Sequence, residues 1–236
     1  MLEADSRLLR AMKIFDGLEV AAIEAFSSQC RTLRYRKGRQ ILGQQDDTND
    51  VFFVIEGTVH LVGYSGSGKV VSFGDIGPGG IIGEFSAIDG LPRSVSVTAL
   101  TDCELARTGS TVFRNFLSNQ PGAALKVLEA IVAKTRSIND RVFEYSTLSV
   151  DNRLHAELLR LAEMNGLEKG APGRVTVISP APTHQEIAMR ISTHREAVTR
   201  ELNRLATEGI LGLSRRRIEL RDPDALRGIL AHAQLE

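Results

Sequence analysis

The stretch Gly79-Gly80-Ile81-Ile82-Gly83-Glu84-Phe85-Ser86-Ala87-Ile88-Asp89-Gly90-Leu91-Pro92-Arg93-Ser94-Val95-Ser96-Val97 places glycines ahead of a short helix-compatible segment. A few residues later it returns to a lone arginine followed by a hydroxyl. These are the groups that a phosphodiester needs. Backbone N–H groups at a helix start are unpaired and carry the positive end of the peptide dipoles, so they accept an anion readily. Glycines such as Gly83 let the backbone approach closely, and Arg93 can offer two parallel charge-assisted hydrogen bonds to phosphate oxygens, with Ser94 adding a hydroxyl. Glu84 sits one residue inside the turn, where a carboxylate would oppose a phosphate but suit a sugar hydroxyl such as a ribose 2′-OH. Phe85 is expected to pack beneath the short helix, with the backbone of Phe85 and Ser86 turned to the anion.

Outward from this stretch the hydrophobic period changes. Residues 6 to 29 read as helical, with Leu8, Leu9, Met12, Ile14, Phe15, Leu18, Ile23 and Phe26 supplying apolar faces broken near Asp16-Gly17. From Thr32, short runs rich in β-branched and aromatic residues take over: Val51 to Ile55, Thr58 to Val62, and Val70 to Phe73 after a Gly/Ser turn from Ser65 to Gly68. Val95 to Ala99 alternates, and Cys103 to Ala106 reads as one more strand. This spacing predicts a β-barrel or roll interrupted by the glycine-rich stretch.

From Ser110 to Ser146 the pattern is helical, with Pro121 where a first helical turn tolerates it. Leu128, Ile131, Thr135, Ile138, Val142 and Tyr145 recur at alternating steps of three and four, a heptad seam that predicts a symmetric dimer. The seam ends at Thr147 to Asp151, where the domain boundary is placed, and a new helix carries Leu154, Leu158, Leu159 and Leu161. After a loop from Asn165 to Gly173, Val175 to Ile178 reads as a strand. Thr183 and Glu186 form a capping-box pattern at the start of a helix continued by Ile187, Ala188 and Ile191. Ser192 and Thr193 turn the chain into a second helix, His194 to Leu205, that buries Val198, Leu202 and Leu205 and exposes Arg195, Glu196 and Arg200. Gly209 to Leu211 and Arg215 to Leu220 would form a two-stranded wing. Two short helices joined by a tight turn, the second with arginines at its exposed start, have the geometry of a helix-turn-helix. Between Thr183 and Arg221 there are eight arginines, five glutamates and no lysine, a local excess of positive charge suited to phosphate and guanine. Arg204 is read as part of a solvated helix face.

The whole chain of 236 residues is 42% hydrophobic, enough for two modest globular domains. Its 29 basic and 29 acidic residues cancel, so any basic surface must be local. Cys30 and Cys103 stand far apart in no metal or redox pattern, which points to a reducing compartment, and His60, His155 and His232 form no ligand spacing. No metal site is expected. With neither a signal-like start nor a membrane-length apolar run, the expectation is a soluble, cytoplasmic protein that does not contact the membrane.

At Gly83-Glu84-Phe85-Ser86 and Pro92-Arg93-Ser94 the chain resembles the phosphate-binding cassette of cyclic-nucleotide-binding domains, in particular that of the bacterial Crp/Fnr transcription regulators. The resemblance extends over nearly the whole chain in order and spacing. It implies an α+β fold: an N-terminal cyclic-nucleotide-binding β-roll over residues 1–110, a long dimerisation helix and hinge over 111–148, and a C-terminal winged helix-turn-helix over 149–236. It implies a ligand-gated, sequence-specific DNA-binding regulator, not an enzyme. A cyclic nucleotide would place its phosphate on Arg93, Ser94 and the backbone of Phe85 and Ser86, its ribose on Glu84 beside Gly83, and its base near Ile138 and Asn139. Cyclic AMP is the expected effector. Ile138 stands where cyclic-AMP-binding relatives usually carry a hydroxyl, and Ser94 could meet the 2-amino group of a guanine held syn, so cyclic GMP stays open.

The segment Gln185 to Leu202 resembles the family's recognition motif. Carried over, Arg195 and Arg200 would contact guanine and Glu196 a cytosine amino group, while His184 and Thr199 would meet phosphates. Gln185 and Thr193 complete the expected contacts with double-stranded DNA. As a homodimer the protein would face a palindromic site with its recognition helices about 34 Å apart. RNA polymerase is a partner by resemblance, with the loop Asn165 to Gly173 its expected contact. Three rivals remain: an iron–sulfur sensor, which two isolated cysteines cannot supply; a regulator independent of nucleotide; and a cyclic-nucleotide phosphodiesterase, for which only binding groups and no positioned base or metal ligands are seen.

Overall fold

The computed structural model describes residues 5–66, 70–164 and 175–233. The chain forms two compact units, one ending at Arg136 and the other beginning at Ser137.

The first unit opens with α1 (Ser6–Arg10), a 3-10 turn (Lys13–Phe15) and α2 (Val20–Ser27), so the long N-terminal helical stretch is three short pieces. Gly17 takes a positive φ of 77°, which ends helix propagation there. Eight strands follow: β1 (Arg31–Tyr35), β2 (Gln40–Leu42), β3 (Val51–Glu56), β4 (Val59–Tyr64), β5 (Val70–Ile76), β6 (Ile81–Ile82), β7 (Ser96–Ala99) and β8 (Cys103–Thr108). The short α3 (Glu84–Asp89) lies between β6 and β7. The strands form two four-stranded sheets, ordered β1-β8-β3-β6 and β2-β7-β4-β5, with every neighbouring pair antiparallel.

β3 explains why the roll and the helices make one body. Its run Val51-Phe52-Phe53-Val54 is buried throughout, and alternate residues enter different cores. Phe52 and Val54 join Leu42, Val59, Ile82, Val97 and Leu105 inside the roll. Val51 and Phe53 join Phe15, Phe26, Phe113 and Phe116 beneath the helices. Phe53 lies 5.7 Å from both Phe15 and Phe26, ring centroid to centroid. A period of two therefore holds two layers from one strand. β6 pairs with Phe52 and Phe53 at the sheet edge and delivers the chain into α3.

The predicted helix from Ser110 to Ser146 is two helices, α4 (Ser110–Asn119) and α5 (Pro121–Thr147). Proline disfavours helical geometry in the residue before it, and Gln120 accordingly adopts φ −129°, ψ 79°.

The second unit takes the last turns of α5, then α6 (Val150–Met164), β9 (Thr176–Ile178), α7 (His184–Arg190), α8 (Arg195–Thr207), β10 (Leu211–Ser214), β11 (Arg217–Leu220) and α9 (Pro223–Ala233). Its sheet runs β10-β11-β9, so the expected two-stranded wing has a third strand. Leu154, Leu158, Ile187, Val198, Leu202, Ile218 and Leu226 form its core. Buried Glu157 on α6 gathers Arg160, Arg190 and Arg141 at 2.6, 3.2 and 3.4 Å, while Tyr145 Oη donates to the Arg190 carbonyl at 2.7 Å. The end of α7 is thus tied to α6 and to the last turns of α5. No helix among the described residues is long and apolar enough to cross a membrane.

Candidate functional site

The cassette is organised on Gly83. Its φ of +82° is one that side-chain-bearing residues rarely adopt, and a Cβ there would meet the Asp50 carbonyl and the Arg93 guanidinium. Arg93, 2% exposed, donates from Nη1 to the Gly83 carbonyl at 2.9 Å, from Nη2 to the Asp50 carbonyl at 2.8 Å, and from Nε to Thr48 Oγ1 at 3.0 Å. Its backbone N–H donates to the Asp46 carbonyl, and its carbonyl accepts from Gln45. Burial pushes the guanidinium pKa down, opposed by the charges of Asp50, Asp46 and Glu84. A guanidinium has five N–H donors, so three bonds leave two for another acceptor. Ser94, the next residue, is exposed.

Glu84 is the first residue of α3 and is buried. Its Oε1 accepts from Lys134 Nζ of α5 at 2.6 Å, and the same ammonium donates to the Ile81 carbonyl at 2.7 Å. Lys134 escaped the sequence reading. Its position one helical turn before Ile138 was the available signal. Phe85 corrects an expectation: it is 39% exposed rather than packed under α3. The helix turns Glu84, Ser86 and Ala87 inward, which leaves Phe85 and Ile88, three residues apart, on its outer face.

On α5 the exposed stripe and the expected seam fall in different frames. The exposed positions include Leu125, Leu128, Val132, Thr135, Asn139 and Val142, again at steps of three and four. Ile131, Ile138 and Tyr145 are half-buried, Ile131 against the aromatic core and Tyr145 through its bond to Arg190. Two heptad frames one step apart both fit the sequence, and packing within the chain decides which stays open. Asn139 lies on the open face.

In the second unit the Thr183 capping box is formed, with Thr183 Oγ1 accepting from the Glu186 N–H at 3.2 Å and Glu186 accepting from the Thr183 N–H at 2.6 Å. Ser192, at φ 52°, makes the turn, and His194 is the N-cap of α8. Gln185, Arg195, Glu196 and Arg200 are exposed, and Thr193 is half-buried. His184 and Thr199 meet each other: Nδ1 lies 2.8 Å from Oγ1, and that hydroxyl donates to the Arg195 carbonyl at 3.0 Å. Burial and the Arg195 charge hold the His184 pKa below its ordinary value, so its imidazole is neutral at pH 7. The recognition helix is anchored from behind by Glu201, which accepts from His155 of α6 at 2.6 Å and from Arg204 at 2.6 Å. Arg204 also pairs with Glu208, in keeping with a role on the helix surface. His155 and Glu201 were not foreseen as a pair, since nothing in a sequence aligns residues on α6 and α8.

Among the described residues no group of histidine, cysteine or carboxylate side chains is placed to hold a metal. The expected polymerase-contacting loop, Asn165 to Gly173, lies outside the described residues.

Comparison with known proteins covers both units. Residues 32–120 match the cyclic nucleotide-binding domain, and residues 152–229 match the Crp-like helix-turn-helix domain. The chain is 26% identical over 222 residues to the CRP-like cAMP-activated global transcriptional regulator of Mycobacterium tuberculosis, covering 94% of this chain and 97% of that one. It is 24% identical to the cAMP-activated global transcriptional regulator CRP of Salmonella typhimurium, over 80% of this chain and 89% of the relative. Its fold is similar to that of FixK2 from Bradyrhizobium japonicum, with a TM-score of 0.74 at 20% identity, covering 84% of this chain and 96% of that structure. The relatives are transcription regulators, not enzymes. With a cyclic-nucleotide-binding β-roll, a long helix and a helix-turn-helix DNA-binding domain in this order, the chain belongs to the Crp/Fnr family of transcription regulators.

Proposed function

We propose that the chain is a cyclic-AMP-gated regulator that binds a palindromic DNA site as a homodimer, with cyclic GMP the alternative effector. The carrying observation is the packing of an acid and a cation on one glycine: Glu84 follows Gly83, and Arg93 holds the Gly83 carbonyl. The cyclic phosphate would take the remaining Arg93 N–H groups, the Ser94 hydroxyl and the backbone of Phe85 and Ser86, with the ribose 2′-OH on Glu84. Ile138 and Asn139 are assigned to the base by resemblance. The names of the relatives, cAMP-activated, favour cyclic AMP.

Residues 1–110 would then sense the ligand, 111–148 dimerise through the open seam of α5, and 149–236 bind DNA. Arg195, Glu196 and Arg200 would read base edges, supported by Gln185 and Thr193, while His184 and Thr199 would face phosphates. Binding would bias an existing equilibrium between two states of the dimer, and coupling is reciprocal, so cognate DNA would tighten nucleotide binding by the same factor. RNA polymerase is a partner by family resemblance, as is a cytoplasmic location.

One observation favours a second reading, in which DNA binding is independent of nucleotide. Glu84 is already paired with Lys134, and Arg93 is already bonded to backbone carbonyls, so the cassette is internally satisfied. Calorimetric titration of the full chain with cyclic AMP and cyclic GMP decides the ligand. Saturable binding should weaken by at least about tenfold in Glu84→Gln and in Ser94→Ala, each having lost a hydrogen bond to the ligand. No binding of either nucleotide, or equal binding in both variants, would overturn the assignment.

A further inference from the structure

A hydrogen-bond chain in the helix-turn-helix ends on a titratable ring. Thr199, one turn into α8, donates its single hydroxyl proton to the Arg195 carbonyl at 3.0 Å. The 2.8 Å contact between that hydroxyl and His184 Nδ1 must then be donated by the ring. His184 is therefore the Nδ1–H tautomer when neutral, and its Nε2 carries a lone pair and no proton. The ring is half-buried on the first residue of α7, and Nε2 makes no hydrogen bond among the described residues. Burial, and then the charge of Arg195, hold the imidazole pKa below its ordinary 6.5. The other charges around the ring are engaged elsewhere or exposed. On α8, Glu196 and Arg200 are exposed. On α7 itself, Glu186 accepts from the Thr183 N–H. α6, which also packs on α7, presents Glu157 to Arg190 at 3.2 Å. Among the described residues no carboxylate is hydrogen-bonded to the ring.

A phosphodiester oxygen can only accept hydrogen bonds, so a neutral Nε2 would turn a lone pair toward a negative charge. Once protonated, the same nitrogen donates a charge-assisted hydrogen bond. We propose that His184 is a proton-linked DNA contact: binding of the duplex draws one proton from solvent onto Nε2, which donates to a backbone phosphate while Nδ1–H stays on Thr199. Thr199 is then a positioning residue, holding the ring in one tautomer rather than meeting phosphate itself. Arg195 reinforces the linkage, because its charge opposes protonation of the free protein and is neutralised when it meets DNA. Binding thus raises the ring's pKa. The affinity it contributes is complete below the free protein's value and lost as pH rises through that of the complex. This inference rests on the reading of His184 as a phosphate contact. That reading alone does not require the proton, since a neutral ring that left Thr199 could give its Nδ1–H to phosphate at any pH.

The test titrates the full chain into a fluorescent duplex selected with the protein itself, at constant ionic strength and in whichever nucleotide condition binds DNA most tightly. The affinity should be about fivefold or more higher at about pH 6 than at about pH 8, with a slope of no more than about one proton. Calorimetric titration in two buffers of different ionisation heat should show net proton uptake. His184→Gln should weaken binding in acid and flatten the profile. His184→Arg, a permanent cation, should bind at about pH 8 as tightly as the wild type does at about pH 6, again with a flat profile. A purely structural role of the ring would not give that rescue. His194→Gln, which removes the neighbouring histidine at the start of α8, should keep the slope. A wild-type profile without slope, a slope retained in His184→Gln, or one lost in His194→Gln instead would each overturn the proton linkage. Weakening in His184→Gln by one factor at every pH would keep the phosphate contact and overturn the proton. Wild-type affinity in His184→Gln at every pH would remove the contact itself. Should His184→Gln fail to fold, the proton count and the His184→Arg profile decide.

Discussion

Arg93→Ala should do more than remove a phosphate contact. The guanidinium is 2% exposed and donates to two backbone carbonyls and a threonine hydroxyl. Truncation leaves the Gly83 and Asp50 carbonyls without these donors, at about 1 to 3 kcal/mol for each buried group. Relief of the charge burial that pushes the guanidinium pKa down returns part of this, giving a net loss of about 3 kcal/mol. For a unit of this size such a loss lowers the unfolding temperature by roughly 10 °C. Differential scanning calorimetry without nucleotide is the assay, read on the transition of the N-terminal unit. Ser94→Ala is the control, because an exposed hydroxyl should shift that transition by under about 0.5 kcal/mol. An Arg93→Ala protein as stable as the wild type would refute the structural role and leave Arg93 a ligand group alone.

Three other outcomes follow from the same geometry. Both cysteines are buried, with Cys30 pushed up to about 12 and Cys103 also raised by burial, so neither should react with a thiol reagent at pH 8 until the chain is unfolded. Burial raises the Glu201 pKa, but hydrogen bonds from Arg204 and His155 outweigh it and hold the carboxyl below its usual 4.5. The stability it contributes is therefore complete above that value and lost as pH falls through the lower folded value. Glu201→Gln should destabilise the second unit at pH 7, and calorimetry should show the gap closing in acid. Arg195→Ala should relax base preference at one position of each half-site with a loss of about 1 to 3 kcal/mol. Uniform weakening on all sequences, measured by competition binding, would make it a phosphate contact.

The elements that sequence read well are those whose signals are local. Thr183 and Glu186 cap their own helix three residues apart, and the β-branched and aromatic run from Val51 to Ile55 marks a strand wherever it packs. What sequence read less well depends on partners distant along the chain. Arg93 was visible as a cation for a phosphate but not as the clamp on Gly83 and Asp50, because backbone carbonyls leave no mark in a sequence. Lys134 meets Glu84 across 50 residues. The solvent-facing stripe of α5 falls in the frame next to the expected seam, since Ile131 is as apolar as Val132 and only packing on the aromatic core separates them. Phe85 was placed inside on hydrophobicity, although a helix of six residues has only one inner face and Glu84 and Ser86 take it. The helix Pro223–Ala233 and the short strands β1, β2 and β6 carried too little pattern to be assigned.

The most direct measurement is a titration of purified full-length protein into a fluorescent palindromic DNA probe, selected with the protein itself, at stated salt and with no nucleotide, cyclic AMP or cyclic GMP. Gating by the cassette predicts specific binding enhanced by one nucleotide alone, and that nucleotide is the effector. Equal affinity under all three conditions would contradict gating and make the Glu84–Lys134 pair a permanent structural contact.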